Sequence, residues 1–230
     1  MNVLGLIPAR GGSKGIPHKN LQTIDGKPLV SYTIEAAKES KKLDSVWVST
    51  DSPDILEIAN IYQVKIHNRK REHATDTSPV IDTAFDVLIE VEKLPDAVML
   101  LQPTSPIRTG EDIDRAIELL ENNHNASSVI SVCPMHDIHP ARMYWNSRGT
   151  LEPILKEYEE LRRQDIREAY YRNGSIYLIK LHALQHTKSF MAKPIVPYVM
   201  PLSKLLNLDE PHDVIVARAL IPAWKKGELE

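Results

Sequence analysis

The segment Val3–Gly15, VLGLIPARGGSKG, begins as an apolar run and ends as a loop rich in glycine and basic residues. The run Val3–Ile7 is typical of a buried β-strand. Three of the 9 glycines lie in the loop that follows it, within the five residues 11–15. Glycine lets a backbone bring its N–H groups close to an anion, and Arg10, Lys14 and Lys19 add positive charge. Strand and loop together predict an α/β fold that holds a triphosphate after its first strand.

The loop can also be compared with three other motifs that contain closely spaced glycines. It matches neither the Walker pattern nor the Gly-x-Gly-x-x-Gly fingerprint of dinucleotide-binding folds. Residues Gly11–Gly15 do match Gly-x-Ser-x-Gly, the nucleophile elbow of α/β-hydrolases, in which a helix begins at once. Pro17 opposes that helix, and strands expected ahead of an elbow are missing. A hydrolase is therefore a remote alternative, and a plain glycine turn on a basic surface is the simplest one.

Strand-like runs alternate with helical patterns along the rest of the chain. Strands that are nearly all apolar are typical of a sheet covered by helices on both faces, with ligands at the carboxyl ends of the strands. The expected strands are Val3–Ile7, Val46–Ser49, Val64–His67, Ala97–Leu101, Ser128–Val132 and Ser175–Ile179. The expected helices are Leu29–Ala37, Asp54–Ile61, Val80–Val91, Asp112–Leu120 and Asp213–Leu220. We therefore expect a single α/β domain over residues 1–230, with a mainly parallel sheet.

The alternation breaks between about residues 133 and 172. This stretch contains three prolines, isolated aromatic residues, a candidate hairpin over residues 146–150 and a charge run over residues 156–167. One interpretation is a solvated excursion on the surface. The other is an insertion that projects from the sheet and pairs with a second subunit.

Composition limits the function classes. Apolar residues make up 42% of the chain, and 28 basic residues against 31 acidic ones give a net charge of -3. Nucleic-acid binding usually requires a basic excess, so we expect neither a nucleic acid nor a membrane as partner. No apolar stretch approaches the ~20 residues that span a bilayer. Cys133 is the only cysteine, which excludes an intrachain disulfide and predicts a cytoplasmic location.

Five ordered motifs resemble those of one family, the acylneuraminate cytidylyltransferases, also called CMP-sialic acid synthetases. The motifs cover nearly the whole chain: residues 7–17 with Lys19-Asn20, Val48–Asp51, Leu101–Arg108, Asn173–Tyr177 and Asn207–Asp209. The resemblance implies a Rossmann-like nucleotidyltransferase that requires Mg²⁺ and is a homodimer. It also implies that the insertion at about residues 133–172 is a protruding dimerisation element that helps to complete the partner's sugar site.

The resemblance, with the loop chemistry above, assigns roles to residues. Expected nucleotide contacts are Ala9, Arg10, Gly11, Gly12, Ser13, Lys14, Lys19, Asn20, Arg69, Thr77 and Ser78, the last two in the segment that also includes Asp76. Expected sugar contacts are Gln102, Thr104, Ser105, Arg142, Arg163, Asn173 and Tyr177. Arg10, Lys14 and Asp209 are the expected catalytic residues. For residues 104 and 105, hydroxyls that cap a helix are an equal alternative to sugar binding. For residues 142 and 163, a solvated basic face is an equal alternative to binding of the sugar carboxylate.

The metal-binding motif departs from the family. Family members usually show Asp-Ile-Asp where this chain has Asn207-Leu208-Asp209, so one of two expected carboxylates is missing. Mg²⁺ prefers oxygen ligands and keeps several waters, so Asp209, the Asn207 amide oxygen and a triphosphate are the expected ligands. A second metal pattern, Cys133-x-x-His136-x-x-His139, offers three of the four ligands that a structural zinc site needs, and zinc is a remote alternative.

Together these observations predict that the anomeric hydroxyl of a sialic-acid-type nonulosonic acid attacks the α-phosphate of CTP and releases pyrophosphate. No residue is an evident general base. Legionaminic, pseudaminic or 3-deoxy-octulosonic acid is the main alternative acceptor. A non-catalytic nucleotide-binding module is a remote alternative, and Asn207 is the one residue in its favour.

Overall fold

A seven-stranded sheet forms the centre of the computed structural model, which describes residues 1–75, 77–135 and 138–229. The central strands are β1 (Val3–Pro8), β4 (Ser45–Thr50), β5 (Lys65–Asn68), β6 (Ala97–Leu100), β7 (Ser128–Met135), β10 (Ala169–Lys180) and β11 (Ile195–Val199). Their order in the sheet is β11-β7-β10-β6-β1-β4-β5. Two small sheets pair β2 (Thr23–Ile24) with β3 (Lys27–Pro28) and β8 (Tyr144–Ser147) with β9 (Thr150–Pro153).

The sheet is mainly parallel, as predicted. β1 lies parallel to β4 and β6, β4 to β5, and β11 to β7, whereas β10 lies antiparallel to β6 and β7. All six predicted strands form, and five of them lie within three residues of their expected ends, whereas β10 begins at Ala169, six residues before the expected start at Ser175. β11 was not predicted, and Pro197 within it explains why, because proline opposes a strand assignment except at a sheet edge. β11 is indeed an edge strand.

Helices cover both faces of the sheet, because apolar side chains project from both faces and must be buried. The helices are α1 (Leu29–Glu39), α2 (Pro53–Ile61), α3 (Val80–Glu90), α4 (Gly110–Asn122), α5 (Leu181–Thr187) and α6 (Pro211–Lys225). One core cluster joins β1, β4 and β6 to α1, α2 and α4, and another joins the opposite face to α3 and α5. In the part of the chain that the structure describes, no helix has the length and apolar character needed to cross a membrane.

The insertion leaves the sheet as a two-stranded ribbon. β7 continues to Met135 and β10 begins at Ala169, and these two residues are paired. The described residues between them include the hairpin of β8 and β9, which confirms the predicted hairpin; its turn has positive φ at Arg148 (53°) and Gly149 (92°). The irregular part is therefore shorter than 133–172, because both ends of that range are strand. Its role in dimerisation stays a prediction.

Candidate functional site

The glycine-rich loop after β1 is packed tightly against two neighbouring segments. Gly11 N–H donates to Asp51 Oδ1 at 2.8 Å, and a Cβ on Gly11 would lie 2.9 Å from Cβ of Ser52. A Cβ on Gly15 would lie 2.3 Å from the carbonyl oxygen of Asp209. The φ angles of both glycines lie outside the left-handed region. Close approach of the protein to itself is therefore what requires glycine at these two positions.

Two of the expected nucleotide contacts maintain the shape of this loop. The buried Asn20 side chain donates from Nδ2 to the Arg10 carbonyl oxygen at 2.9 Å. Ala9 N–H donates to the Ser49 carbonyl oxygen at 2.9 Å. These hydrogen bonds fix the backbone on both sides of Arg10. Asn20 and Ala9 thus position the loop, and the side-chain Nδ2 of Asn20 and the backbone N–H of Ala9 donate to protein carbonyl oxygens.

A cavity of about 230 Å³, called here the loop cavity, opens beside the loop at the carboxyl ends of β1, β5 and β6. This is the sheet edge at which α/β folds bind ligands. Among the expected residues, Arg10, Gly12, Ser13, Lys19, Asn20, Arg69, Ser78, Gln102 and Thr104 line it. Ala9, Gly11, Lys14 and Thr77 lie outside its lining, and Asp76 lies outside the described residues.

Arg69 is the most buried cation of the loop cavity, with 9% of its surface exposed. Its Nε donates to Ser49 Oγ at 3.0 Å and its Nη2 donates to the Ser49 carbonyl oxygen at 2.8 Å. Burial lowers the pKa of Arg69 to about 10, so the guanidinium stays charged near neutral pH. A buried cation with a fixed plane suits recognition of a polar ligand group by several N–H donors.

The loop that follows β6 is held by Arg108, whose role the sequence did not suggest. Arg108 is fully buried, and its guanidinium donates to the Ser175 carbonyl at 2.5 Å, to Thr33 Oγ1 at 2.5 Å and to the Gln102 carbonyl at 2.7 Å. Burial lowers the pKa of Arg108 to about 9. These bonds fix the Gln102 backbone between the helix layer and β10. Arg108 therefore positions the loop that presents Gln102 to the cavity.

A second, more polar cavity of about 550 Å³ adjoins the loop cavity, and we call it the tyrosine cavity. Its lining comprises Gln102, Thr104, Tyr170, Tyr171, Arg172, Gly174, Tyr177, Asn207 and Asp209. The two cavities share Gln102 and Thr104, so a ligand in one lies next to a ligand in the other. Burial raises the pKa of Tyr177, which keeps its hydroxyl protonated as a hydrogen-bond donor.

Oxygen atoms converge on Gly174 at the floor of this cavity. Gly174 has φ of 77°, and a Cβ there would lie 2.7 Å from Ser105 Oγ, 3.1 Å from Asn207 Oδ1 and 3.3 Å from Gln102 Oε1. The buried Ser105 hydroxyl donates to Asn207 Oδ1 at 2.5 Å. Ser105 therefore orients Asn207 and does not itself line the cavity.

Asn173 is placed away from the cavities, although it belongs to the same motif. Its side chain is fully buried, and Oδ1 accepts from Ser131 Oγ at 2.6 Å while Nδ2 faces Met200 Sδ at 3.1 Å. Between Arg172 and Tyr177 the pairing of β10 with β7 shifts register. Asn173 thus stabilises the irregularity that brings Gly174 to the cavity floor.

Asp209 supplies the one carboxylate of the expected metal pair. Its side chain is 71% exposed, and Oδ1 accepts from Lys19 Nζ at 3.0 Å. The described residues contain no group of three or more His, Cys, Asp or Glu side chains able to hold a metal by themselves. Mg²⁺ commonly binds one or two carboxylates together with substrate phosphates, so an exposed carboxylate beside the phosphate loop fits that ion. Asn207 and Asp209 both line the tyrosine cavity.

Arg142 and Arg163 lie elsewhere in the chain. Both line a cavity of about 700 Å³ within the insertion, together with His139, Gln164, Arg167 and Glu168, and we call it the arginine cavity. Arg142 Nη2 donates to the Leu161 carbonyl at 2.8 Å. Among the described residues, the arginine cavity and the tyrosine cavity have no lining residue in common. Within one chain, the structure does not bring these arginines to Gln102.

The zinc pattern has little support in the described residues. His139 accepts from Ala141 N–H at Nδ1 (3.0 Å), so its Nε2–H donates to the Arg167 carbonyl (2.9 Å), and both ring nitrogens are occupied. Cys133 is buried, and burial raises the pKa of its thiol. His136 lies outside the described residues.

Several residues of the site were missed by sequence reasoning. Asp51 was quoted in a motif but given no role, although it accepts the Gly11 N–H. His73, Thr75 and Thr83 line the loop cavity, and His73 Nδ1 lies 2.5 Å from Asp86 Oδ2. Their only sequence signal is that they follow a predicted strand at the ligand edge of the sheet.

Known proteins resemble the chain in sequence. The model of a family described as Cytidylyltransferase matches residues 4–202. CMP-N,N'-diacetyllegionaminic acid synthase of Legionella pneumophila is 36% identical, over 96% of this chain and 97% of that protein. An N-acylneuraminate cytidylyltransferase of Escherichia coli is 33% identical, over 94% of this chain and 51% of that protein. The chain therefore spans nearly all of one relative and about half of the other.

A solved structure shares the fold. It is that of a CMP:2-keto-3-deoxy-manno-octonic acid synthetase complexed with CTP, with a TM-score of 0.76 over 97% of this chain and 100% of that chain. At 19% sequence identity this likeness supports the fold alone. The expected Rossmann-like α/β nucleotidyltransferase fold is thereby confirmed.

Proposed function

Because this chain belongs to the cytidylyltransferase family, we propose that it transfers CMP from CTP to the anomeric hydroxyl of a nonulosonic acid. Membership makes the chain an enzyme of nucleotidyl transfer. The observation that supports the acceptor is the pair of adjoining cavities that share Gln102 and Thr104. One cavity is bordered by the basic glycine-rich loop and suits CTP. The other is bordered by tyrosine hydroxyls and amides and suits a polyhydroxylated acid.

In the proposed reaction, the sugar hydroxyl oxygen forms a bond to the α-phosphorus of CTP. The bond from that phosphorus to the oxygen bridging to the β-phosphate breaks, and pyrophosphate leaves. The hydroxyl proton passes to water or to the leaving pyrophosphate. Such transfers depend chiefly on alignment and on neutralisation of charge, with little covalent chemistry from the protein.

The basic residues of the loop supply that neutralisation in our proposal. Arg10 and Lys19 line the loop cavity, where they face the phosphates and the leaving group in this proposal. Lys14 lies between them in sequence and outside the cavity lining, and its positive charge adds to theirs. Asp209, with Asn207 beside it, would hold Mg²⁺, which neutralises phosphate charge and orients the phosphates when bound. Arg69 and Ser78 contact the nucleoside part, and Gln102, Thr104 and Tyr177 contact the sugar acid.

We further propose that the enzyme is a homodimer whose insertions complete each other's sugar sites. Exposed apolar side chains on the insertion support a protein interface: Trp145 is 64% exposed and Leu151 is 69% exposed on the hairpin of β8 and β9. Arg142 and Arg163 would then bind the acceptor carboxylate in the partner's site. A reducing, cytoplasmic location belongs to the same proposal, because the single buried cysteine shows no use of disulfides.

The acceptor is tested by measuring pyrophosphate release from CTP with four acids: N-acetylneuraminic, N,N'-diacetyllegionaminic, pseudaminic and 3-deoxy-octulosonic acid. Each acid is assayed with and without Mg²⁺, and UTP replaces CTP as the control nucleotide. We expect Mg²⁺-dependent release with at least one nine-carbon acid. Release with the octulosonic acid alone would replace the nonulosonic assignment, and no release with any acid would exclude this function.

A further inference from the structure

A buried hydrogen-bond chain connects the loop cavity to a histidine that contacts neither cavity. Ser49 is the penultimate residue of β4, and it is paired in register with His67 of β5. Ser49 Oγ lies 2.8 Å from His67 Nδ1 and accepts from Arg69 Nε at 3.0 Å. Ser49 is fully buried and His67 is 4% exposed. Polar groups at such depth depend on one another for their hydrogen bonds.

The directions of these hydrogen bonds are fixed by the chemistry of the groups. Arg69 Nε is only a donor, so the Ser49 oxygen accepts there. The serine hydroxyl has one proton to give, and His67 Nδ1 is the only acceptor described for it. The arrangement that gives the Ser49 proton a described acceptor has neutral His67 with Nδ1 as acceptor and the ring proton on Nε2, which lies 3.6 Å from Glu90 Oε1.

Ser49 is also the junction between Arg69 and the glycine-rich loop. Its carbonyl oxygen accepts from Ala9 N–H at 2.9 Å and from Arg69 Nη2 at 2.8 Å. Oγ and the carbonyl of Ser49 thus bind one edge of the guanidinium, formed by Nε and Nη2, and Arg69 also lines the loop cavity. The rotamer of Ser49 determines whether its Oγ can accept from Arg69 Nε. The hydrogen bond to His67 Nδ1 holds Ser49 in the rotamer that allows this.

From this geometry we infer that neutral His67 is a positioning residue for the nucleotide: it fixes the Ser49 hydroxyl and thereby the Arg69 guanidinium at the loop cavity. The inference rests on the proposed function, because it takes CTP as the ligand of that cavity. Protonated His67 carries N–H at Nδ1 and cannot accept from Ser49, so the Ser49 hydroxyl proton loses its described acceptor. The serine oxygen must then accept from both His67 and Arg69, which weakens its hold on the guanidinium. Protonation also places a second positive charge beside Arg69.

The charges around His67 set the pH at which this happens. Burial lowers the pKa of His67 below its ordinary value of 6.5. The carboxylates of Glu90 and Asp86 on α3 act in the opposite direction, and Arg69 and His73 act in the same direction as burial. The neutral form therefore predominates at neutral pH, and protonation occurs on the acid side of 6.5. His67 accepts from Ser49 above that range and loses this role as pH falls through it.

The test compares His67→Leu with His67→Asn, whose amide oxygen can replace Nδ1 as acceptor. CTP affinity is measured by calorimetry without acceptor, and KM for CTP is measured from pH 5.5 to 8. We expect His67→Leu to weaken CTP binding at neutral pH by about fivefold to tenfold relative to wild type, the scale of one lost hydrogen bond, with a smaller effect on kcat. The difference from wild type is expected to shrink at acid pH, where wild-type His67 is protonated. We expect His67→Asn to bind near wild-type level and to lose the rise in KM at acid pH.

Two further variants separate positioning from general loss of structure. Ser49→Ala removes the same link, so Ser49→Ala with His67→Leu is expected to be no weaker in CTP binding than either single variant. Glu90→Gln removes a charge that favours protonated His67, so the acid rise in KM is expected at lower pH. The inference is overturned if His67→Leu binds CTP within twofold of wild type at neutral pH, or if His67→Asn keeps the acid rise. Failure of the proposed function is distinguishable, since it removes wild-type turnover whereas the calorimetry still reports on His67.

Discussion

Gly15 and Gly12 belong to one loop but have different surroundings, and this difference is testable at the scale of single residues. A Cβ at position 15 would lie 2.3 Å from the Asp209 backbone oxygen, whereas a Cβ at position 12 meets nothing within 4 Å. Backbone cannot yield as a flexible side chain can. We expect Gly15→Ala to lower the free energy of unfolding by about 1–3 kcal/mol, the cost of overpacking, and Gly12→Ala to change it little.

The measurement is urea unfolding of both variants and wild type. Similar midpoints for Gly15→Ala and Gly12→Ala would show that the loop and the Asp209 segment are not in contact.

Asn207 gives a second prediction at this scale. Its Oδ1 accepts from Ser105, and a carboxylate can accept the same hydrogen bond. Asn207→Asp therefore adds a negative charge at position 207, near Asp209, without losing that bond. We expect the Mg²⁺ concentration for half-maximal pyrophosphate release to fall several-fold. Asp209→Asn is the matched control and is expected to raise it. An unchanged Mg²⁺ requirement in Asn207→Asp would place position 207 outside the metal's ligand shell.

The residue types of the site were predictable from the sequence, but the distinction between contact and support was not. Arg10, Lys19 and Gln102 line cavities as expected. Asn20 and Asn173 also lie in the quoted motifs, but their side-chain amides make hydrogen bonds within the protein. Asn20 donates to the Arg10 carbonyl, and Asn173 accepts from the Ser131 hydroxyl. A motif identifies residues that act together, and only the fold decides which of them face the ligand.

At the scale of elements, Arg108 connects α1, β10 and the loop after β6. Arg108→Leu would leave the Ser175 carbonyl, Thr33 Oγ1 and the Gln102 carbonyl without this donor inside the protein. We expect the free energy of unfolding to fall by about 3 kcal/mol or more, because each buried acceptor left unpaired costs about 1–3 kcal/mol.

The matched control is Arg115→Leu on the exposed face of α4, where the arginine forms an ion pair with Glu111 one turn away. Exposed pairs contribute about 0–1 kcal/mol, so a small change is expected. Guanidinium chloride titration compares the two variants. Equal losses would contradict a special role for Arg108.

The regular elements were predictable because apolar periodicity follows from burial on both faces of a sheet. The exceptions have physical reasons. β11 is interrupted by Pro197, and α5 is a helix of only seven residues with little room for a periodic pattern. β10 was predicted only from Ser175 onward, because its first four residues, Ala169–Arg172, form a mostly exposed ribbon outside the core.

At the scale of the whole molecule, the proposed shared site predicts complementation between two inactive variants. At a Mg²⁺ concentration that saturates wild type only, Asp209→Asn disables the site on its own chain, whereas Arg142→Ala disables the site of its partner. Mixed and allowed to exchange subunits, the two are expected to regain about a quarter of the wild-type activity, since half of the dimers are mixed and one site in each is intact.

Activity is measured as pyrophosphate release at saturating CTP and acceptor, and the mass of each variant in solution is measured by light scattering. Each variant incubated alone is the control. A monomeric mass, or no recovery after subunit exchange, would contradict the shared site.

The central claim is that the anomeric hydroxyl of a sugar acid attacks the α-phosphate of CTP. The most direct test uses an acceptor that carries ¹⁸O at that hydroxyl, incubated with CTP, Mg²⁺ and the protein. The position of the label in the products is then determined by mass spectrometry. The account predicts a CMP-sugar acid that retains the label, formed in equal amount with unlabelled pyrophosphate and only when both substrates are present. A CMP-sugar without the label, or cleavage of CTP that does not depend on the acid, would contradict it.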